Sequence, residues 1–140
     1  MYDALKLHII SQHGLAICRP TGALDENFSA QLLRFLLALE EFSTEPFDRL
    51  LDLTHVTQVS LNSAAVRSYA AARLEATAQL APFRTAIIAL DGPAKSTADL
   101  YSALVKDSNI QVVVFRDVPS AAQWLDVPME IINSKAPRQP

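Results

Sequence analysis

Short runs of apolar residues recur along the chain and predict buried strands. These runs cover residues 50–53, 85–90 and 110–115. Strands that are covered on both faces have this pattern, because every side chain then points into a core. Residues 5–9 instead alternate apolar and polar positions, and an apolar run resumes at 15–18 after Gly14, which predicts a β-hairpin that turns at this glycine.

Between these runs, apolar residues recur at helical spacing. The predicted helices cover about residues 25–41, 61–80, 93–107 and 117–125. The resulting order, β-β-α-β-α-β-α-β-α, predicts a single α/β domain at residues 1–128, with a mixed five-stranded sheet and helices packed on it. A C-terminal tail is expected at 129–140. Because strands and helices alternate, the crossovers should be right-handed and the sheet largely parallel after the hairpin.

The first predicted helix has a wide apolar face. Its stripe towards the sheet consists of Phe28, Leu32, Phe35, Leu36 and Leu39. Leu33 and Leu37 extend the apolar face beyond this stripe. Two interpretations follow. Either the helix lies in a deep groove of its own domain, or the additional leucines form an exposed patch that pairs with a second copy of the chain.

Residues 54–63, here called the 54–63 segment, are predicted to be a loop that joins the central strand to the second helix, and this loop is the predicted functional site. Ser60, Asn62 and Ser63 belong to the residue types that cap helices, because their side-chain oxygens accept free N–H groups of a first turn. A helix N-terminus also presents the positive end of the helix dipole. It can therefore hold a phosphate, a carboxylate or an acidic side chain of a partner.

Three further candidate site residues stand at the carboxyl end of the central strand: Asp52, Thr54 and His55. Ligands of open α/β sheets bind at such strand ends. Asp52 has two interpretations. It is either a structural acid that accepts hydrogen bonds from the N–H groups of the following loop, or a marker of a functional crevice.

Charge and cysteine content limit which functions and which cell compartment can be expected. The 140 residues have a net charge of -3 and no Lys/Arg cluster, so no nucleic-acid surface is predicted. Cys18 is the single cysteine and cannot form an intrachain disulfide, which suits a reducing compartment. We expect neither a secretion signal nor a membrane span, since no apolar run approaches about 18 residues. The sequence therefore predicts a cytoplasmic, bacterial-type protein.

Motifs for catalysis and cofactor binding are incomplete. Residues 92–97, Gly-Pro-Ala-Lys-Ser-Thr, lie where a phosphate-binding loop would follow a strand, but they lack the glycine before the lysine. None of the three histidines has a partner at metal-ligand spacing. Ser60 and Ser63 lie near His55 and Asp52 in sequence, but without a nucleophile elbow. We therefore predict no metal, no cofactor and no enzymatic activity.

The element order, with Leu-Leu-Asp-Leu-Thr-His-Val-Thr at 50–57 before an Ala-rich helix, resembles the STAS superfamily. That superfamily includes bacterial anti-sigma-factor antagonists and the cytoplasmic domains of sulfate transporters. The closing pattern, Val-Val-Val-Phe-Arg-Asp at 112–117 and Ala-Ala-Gln-Trp-Leu at 121–125, is similar to the STAS/SEC14-like branch. The resemblance covers about residues 4–126. It implies a non-enzymatic domain that binds a protein or a small apolar molecule.

The resemblance also bears on regulation. In the antagonists, an Asp-Ser-Ser-Gly element precedes this helix, and its serine is phosphorylated by a partner kinase. Here that element falls on Ser60-Leu61-Asn62-Ser63, so the phosphoacceptor is not preserved in place. Ser60 and Ser63 remain as candidate regulatory positions.

Two functions follow. The leading one is a regulatory module that binds a protein partner through the 54–63 segment and the following helix, with a homodimer as a further hypothesis. The alternative is a protein that binds a lipid or small apolar ligand between the sheet and the helices around 32–39 and 98–105. The first predicts an exposed segment without an enclosed cavity. The second predicts an apolar cavity of ~300 Å³ or more. An enzyme would bring His55 within hydrogen-bond reach of a serine or Cys18.

Overall fold

A computed structural model describes residues 5–43 and 45–133 of the chain, and seven strands and five helices lie within these ranges. The strands are β1 (Leu7–Ile10), β2 (Leu15–Cys18), β3 (Gly22–Leu24), β4 (Asp48–Asp52), β5 (Val56–Val59), β6 (Phe83–Ile88) and β7 (Ile110–Phe115). The helices are α1 (Glu26–Phe42), α2 (Ser63–Thr77), α3 (Pro93–Leu104), α4 (Val118–Leu125) and α5 (Met129–Asn133).

Five of the strands form the main sheet, in the order β1-β2-β4-β6-β7. The first pair, β1 and β2, is antiparallel, and the remaining pairs are parallel. Gly14 connects the antiparallel pair with a φ of 57°, a conformation that glycine adopts without a steric cost. The predicted hairpin and the mixed five-stranded α/β sheet are thus confirmed. On the central strand β4, Leu50 lies beside Ile17 of β2 and Ala86 of β6.

A second, two-stranded sheet was not predicted. It pairs β3 with β5 in parallel, and the backbone N–H of Ser60 continues the pairing by donating to the carbonyl of Leu24 at 2.8 Å. The prediction of a plain loop for the 54–63 segment was therefore wrong for its middle part. The strand escaped detection because Thr57 and Gln58, in its centre, are both polar and exposed, which gives no apolar alternation.

The helices cover both faces of the main sheet. On one face, Phe28 of α1 and Ala98 of α3 pack in the same core cluster as Ile87 of β6. On the other face, Leu125 of α4 and Ile132 of α5 pack with a second cluster around the central strand. The helix α5 occupies residues assigned to the tail by sequence. The rest of that tail, 134–140, lies outside the described residues, and the domain boundary at 128 stays a prediction.

Capping side chains define where three of the helices begin. The Oδ1 atoms of Asp25, Asn62 and Asp117 each accept the backbone N–H three residues later, at 2.9, 2.8 and 2.8 Å. Each bond satisfies one of the free N–H groups of a first helical turn. The predicted cap at Asn62 is therefore present.

The wide face of α1 is divided between the core and the surface. Leu32 and Leu36 are buried, Leu33 is half-buried, and Leu37 is 41% exposed. Part of the wide face is thus left outside the core of its own domain. Within the described residues, no helix has both the length and the apolar composition to cross a membrane.

Candidate functional site

The 54–63 segment lies on the surface. The candidate residues Thr54, His55, Ser60, Asn62 and Ser63 are all exposed. The segment begins at the carboxyl end of β4, runs through β5 and ends at the N-terminus of α2. An exposed segment is what a protein-interaction module requires.

Asp52 differs from the other candidates because it is buried. Its Oδ1 atom accepts hydrogen bonds from the backbone N–H of Thr54 at 3.0 Å and from the hydroxyl of Thr54 at 2.7 Å. Its Oδ2 atom lies 3.8 Å from Nε of Arg19. The carboxylate of Asp52 thus stabilises the turn after β4, and the guanidinium of Arg19 balances its negative charge. These contacts support the structural interpretation of Asp52 over the functional one.

The two serines have different surroundings. The hydroxyl of Ser60 lies 3.2 Å from Nε2 of Gln58, which donates to it. Ser63 is the first residue of α2, directly after the cap Asn62. Arg67 lies one helical turn further on and is exposed, so it shares a helix face with Ser63.

A groove between α1 and α2, here called the α1–α2 groove, continues the surface of the 54–63 segment. Its volume is about 490 Å³. Small side chains leave this space open: Ser29 and Ala30 on α1, and Ala65 and Ser68 on α2. Asn62 also lines the groove, which joins it to the segment. Segment and groove together form one continuous candidate contact surface.

A separate cavity of about 100 Å³ lies between the main sheet and the helices α1, α2 and α3. Its lining is almost entirely apolar and includes Phe28, Leu36 and Ile87. The position is the one expected for a ligand pocket. The volume is below the ~300 Å³ expected for a carrier of a drug-sized ligand.

Two arginines also line this cavity, and both contact Glu40. Both guanidinium nitrogens Nη1 and Nη2 of Arg73 bond the carboxylate of Glu40, the former at 3.1 Å. Nη1 of Arg49 lies 2.9 Å from Oε2 of the same carboxylate. The side chains of Arg73, Arg49 and Glu40 are only 1%, 7% and 8% exposed. We call these three residues the arginine cluster.

Two tyrosines lie beside the arginine cluster and line the same cavity. The rings of Tyr69 and Tyr101 have centroids 5.5 Å apart. Burial raises the pKa of both phenols above the ordinary tyrosine value. Both hydroxyl groups therefore remain protonated at neutral pH, and the side chain of Tyr101 is hydrogen-bonded to that of Arg73.

The arrangements that catalysis would need are not seen in the described ranges. There, no hydrogen bond joins His55 to a serine or to Cys18, and no three His, Cys, Asp or Glu side chains cluster as metal ligands do. Cys18 donates from its Sγ to the carbonyl of Leu5 at 3.0 Å, and burial raises its pKa to about 12. Residues 93–97 of the loop-like motif form the first turns of α3, and Lys95 pairs there with Asp99 at the surface, at 2.7 Å.

Sequence reasoning missed the arginine cluster, although one signal was present. The buried positions of α2 are Val66, Ala70, Arg73 and Thr77. These positions recur at helical spacing, so Arg73 stands in the middle of the buried face. A charged residue in such a stripe predicts a buried partner of opposite charge.

Comparisons with known proteins identify the fold. No family model and no curated protein matches the chain. In structure, the chain is similar to an uncharacterized protein of the DUF3478 family from Shewanella loihica PV-4, which has a SpoIIAA-like fold. The match covers 79% of this chain and 83% of that chain, with 21% identity and a TM-score of 0.50. The chain thus has a SpoIIAA-like fold, and the predicted resemblance is confirmed for the fold.

Proposed function

We propose that this protein is a non-enzymatic, cytoplasmic regulatory module of the STAS type that binds a protein partner through the 54–63 segment and the α1–α2 groove. One observation carries this proposal: the exposed segment continues without interruption into a groove of about 490 Å³. A groove of this size can receive several side chains of a partner, while the segment beside it supplies polar contacts.

The chemistry of the surface defines the kind of contact. All ten residues of the 54–63 segment lack a formal charge when His55 is neutral. Hydroxyl and amide groups dominate, so the partner is held by hydrogen bonds and shape rather than by charge steering. Binding should consequently depend little on salt concentration, since screening acts on charged groups.

Ser60 and Ser63 are the proposed regulatory positions. A phosphate on Ser63 would sit at the N-terminus of α2, where the helix dipole stabilises negative charge. Arg67, one turn later, would pair with it. A phosphate on either serine would also add charge to the 54–63 segment, which otherwise has no formal charge when His55 is neutral. Phosphorylation would therefore weaken the docking of a partner that fits the unmodified surface.

Site-specific photo-crosslinking tests the contact surface. A photoreactive residue in place of Gln58, on β5, should crosslink a defined protein in a lysate of the source organism. The matched control is the same replacement of Gln123, an exposed residue of α4 on the opposite side of the main sheet. Equal crosslinking at the two positions, or none at Gln58, would contradict the proposal.

A competition experiment tests the groove. Unlabelled protein should suppress the crosslink, and the variant Ala30→Trp should compete at least about tenfold less well, because the indole fills the groove. Ala71→Trp places the same side chain at an exposed position of α2 that does not line the groove, and it should compete like the wild type. Loss of competition by both variants would mean that the effect is not specific to the groove.

The homodimer hypothesis concerns a different surface. Leu37 on α1 is 41% exposed and offers apolar area to a second copy. The solution mass, measured by light scattering at micromolar concentration, tests this: a monomer would remove the hypothesis.

A further inference from the structure

We propose that the cavity binds a small monocarboxylic acid with a short apolar body, and that Arg49 and Arg73 hold its carboxylate. This ligand site goes beyond the proposed protein interaction and does not depend on it. It is carried by an imbalance of charge in the arginine cluster, which borders an apolar cavity.

The arginine cluster contains two cations and one anion. Arg73 takes both carboxylate oxygens of Glu40, while Arg49 reaches only Oε2. The cluster therefore carries an excess of one positive charge at side chains that are at least nine-tenths buried. A buried charge without a counterion is costly, so an anion bound at this point is favoured.

The positive charge of Arg49 is balanced less well by Glu40 than that of Arg73. Burial, together with the charge of Arg73, lowers its pKa, whereas the bonds to Glu40 raise that of Arg73. The group is nonetheless fixed in place. Its Nε donates to the carbonyl of Phe47 at 2.7 Å, and its guanidinium lies 3.7 Å from the centroid of the Phe83 ring. An anion would thus meet a preorganised cation rather than a mobile one.

The rest of the cavity defines the chemistry of the ligand. Tyr69 and Tyr101, whose hydroxyl groups are neutral, line the cavity beside the arginine cluster. Along β4 the lining runs from Arg49 to Leu53, about 13 Å at the rise of a strand, and apolar side chains dominate it. The ligand therefore has one anionic end and an apolar body.

The cavity volume limits the length of that body. An apolar cavity of roughly 150 Å³ takes up benzene, which has six carbons. The volume of about 100 Å³ found here corresponds on that scale to a body of about four carbons. Pentanoate has a body of four carbons beyond its carboxylate.

The cavity lies next to the α1–α2 groove. Ser29, Ala65 and Tyr69 line both the cavity and the α1–α2 groove, so the two spaces are adjacent. A ligand from solution would pass between two helices whose facing residues are mostly small.

Titration of the wild-type protein tests the charge requirement directly. Pentanoate and 1-pentanol have the same apolar body, and only the first carries a charge. Measured by NMR shift changes of backbone amides, pentanoate should bind at least about tenfold more tightly, because hydrogen bonds to charged groups contribute more than neutral ones. Equal affinities, or no saturable binding of pentanoate in the millimolar range, would overturn the proposal.

A variant series localises the effect. Arg49→Met leaves the paired Glu40 and Arg73 in place but removes the excess charge, so it should weaken pentanoate at least about tenfold and leave 1-pentanol unchanged. Arg49→Lys restores the charge and should recover most of the affinity. Arg34→Met, an exposed position on α1, is the matched control and should bind like the wild type. Unchanged pentanoate binding by Arg49→Met would overturn the assignment, and the wild-type comparison decides the matter if that variant does not fold.

A comparison of acids of different chain length distinguishes a short free acid from a long-chain acid released from lipids. Dodecanoate carries the same carboxylate on a body that exceeds the cavity, and it should bind more weakly than pentanoate. Tighter binding of dodecanoate would overturn the proposed short ligand. None of these results bears on crosslinking at Gln58, so the two proposals fail independently.

Discussion

Replacement of Glu40 by glutamine should destabilise the protein severely. Glutamine preserves the shape of the side chain but removes the only anion of the arginine cluster in the described structure. Arg49 and Arg73 would then be two buried cations without a counterion. Their guanidinium groups cannot escape by deprotonation at neutral pH, because arginine keeps its charge in proteins.

The magnitude follows from burial. Removal of one partner from a buried ion pair typically costs about 3–5 kcal/mol, because the other charge is left uncompensated. Here two cations remain, and Arg73 is 1% exposed, so the value should lie in the upper part of that range. A domain of this size has about 5–15 kcal/mol of total stability. The substitution would therefore remove a large share of it.

Urea denaturation followed by circular dichroism measures this loss. The midpoint should fall strongly while the slope stays near the wild-type value, since the exposed surface of unfolding is unchanged. Glu41→Gln is the matched control, because Glu41 is the next residue on the helix and is exposed. Its effect should stay within about 0.5 kcal/mol. A loss below about 1 kcal/mol for Glu40→Gln would refute the argument that this carboxylate compensates buried charge.

Three further predictions concern single side chains. Asn62→Ala removes the N-cap of α2 and should cost about 1 kcal/mol in denaturant unfolding, whereas Ser63→Ala should change stability by less than about 0.5 kcal/mol. Cys18 should resist a thiol reagent in the native protein at pH 8 and react after unfolding, because burial raises its pKa to about 12; rapid native labelling would contradict this. The N–H of Ser120 lowers the pKa of Asp117, so the contribution of this carboxylate is present above the unfolded pKa and is lost as the pH falls through the lower folded value. The stability difference between wild type and Asp117→Asn should therefore shrink on acidification below about pH 4, and a difference that stays constant would refute the assignment.

Much of the fold could be predicted because its signals are local. The apolar runs that became β6 and β7 identify strands, although β7 lies at the edge of the sheet and leaves Val113 exposed, and Asp25 and Asn62 mark where α1 and α2 begin. The pair β3–β5 lacked such a signal. Each of its strands is short, and each is stabilised by a partner more than thirty positions away in the chain. Pairing of that kind is a tertiary effect, which a local pattern does not contain.

In the candidate site, too, the features with a local sequence signal could be predicted and those that depend on tertiary packing could not. The exposed positions of the 54–63 segment follow from polar residues between a strand and a helix. The arginine cluster depends instead on α1, α2 and β4 meeting at one point, and a sequence treats each of its charges as a surface group. Only the place of Arg73 in the buried stripe of α2 indicated otherwise. The cavity beside the cluster depends on how three helices pack, so no single segment could reveal it.

The arginine cluster is poorly explained as a stabilising device alone. A buried ion pair often contributes no more to stability than well-packed apolar residues of the same volume would. Two cations on one carboxylate are less favourable still, because the second cation brings a desolvation cost without its own counterion. An anionic ligand would relieve this cost in the folded state only. Pentanoate should consequently raise the unfolding midpoint of the wild type, since a ligand that binds only the folded state stabilises it. Pentanoate should raise the midpoint of Arg49→Met less, because the remaining pair of Glu40 and Arg73 has no net charge.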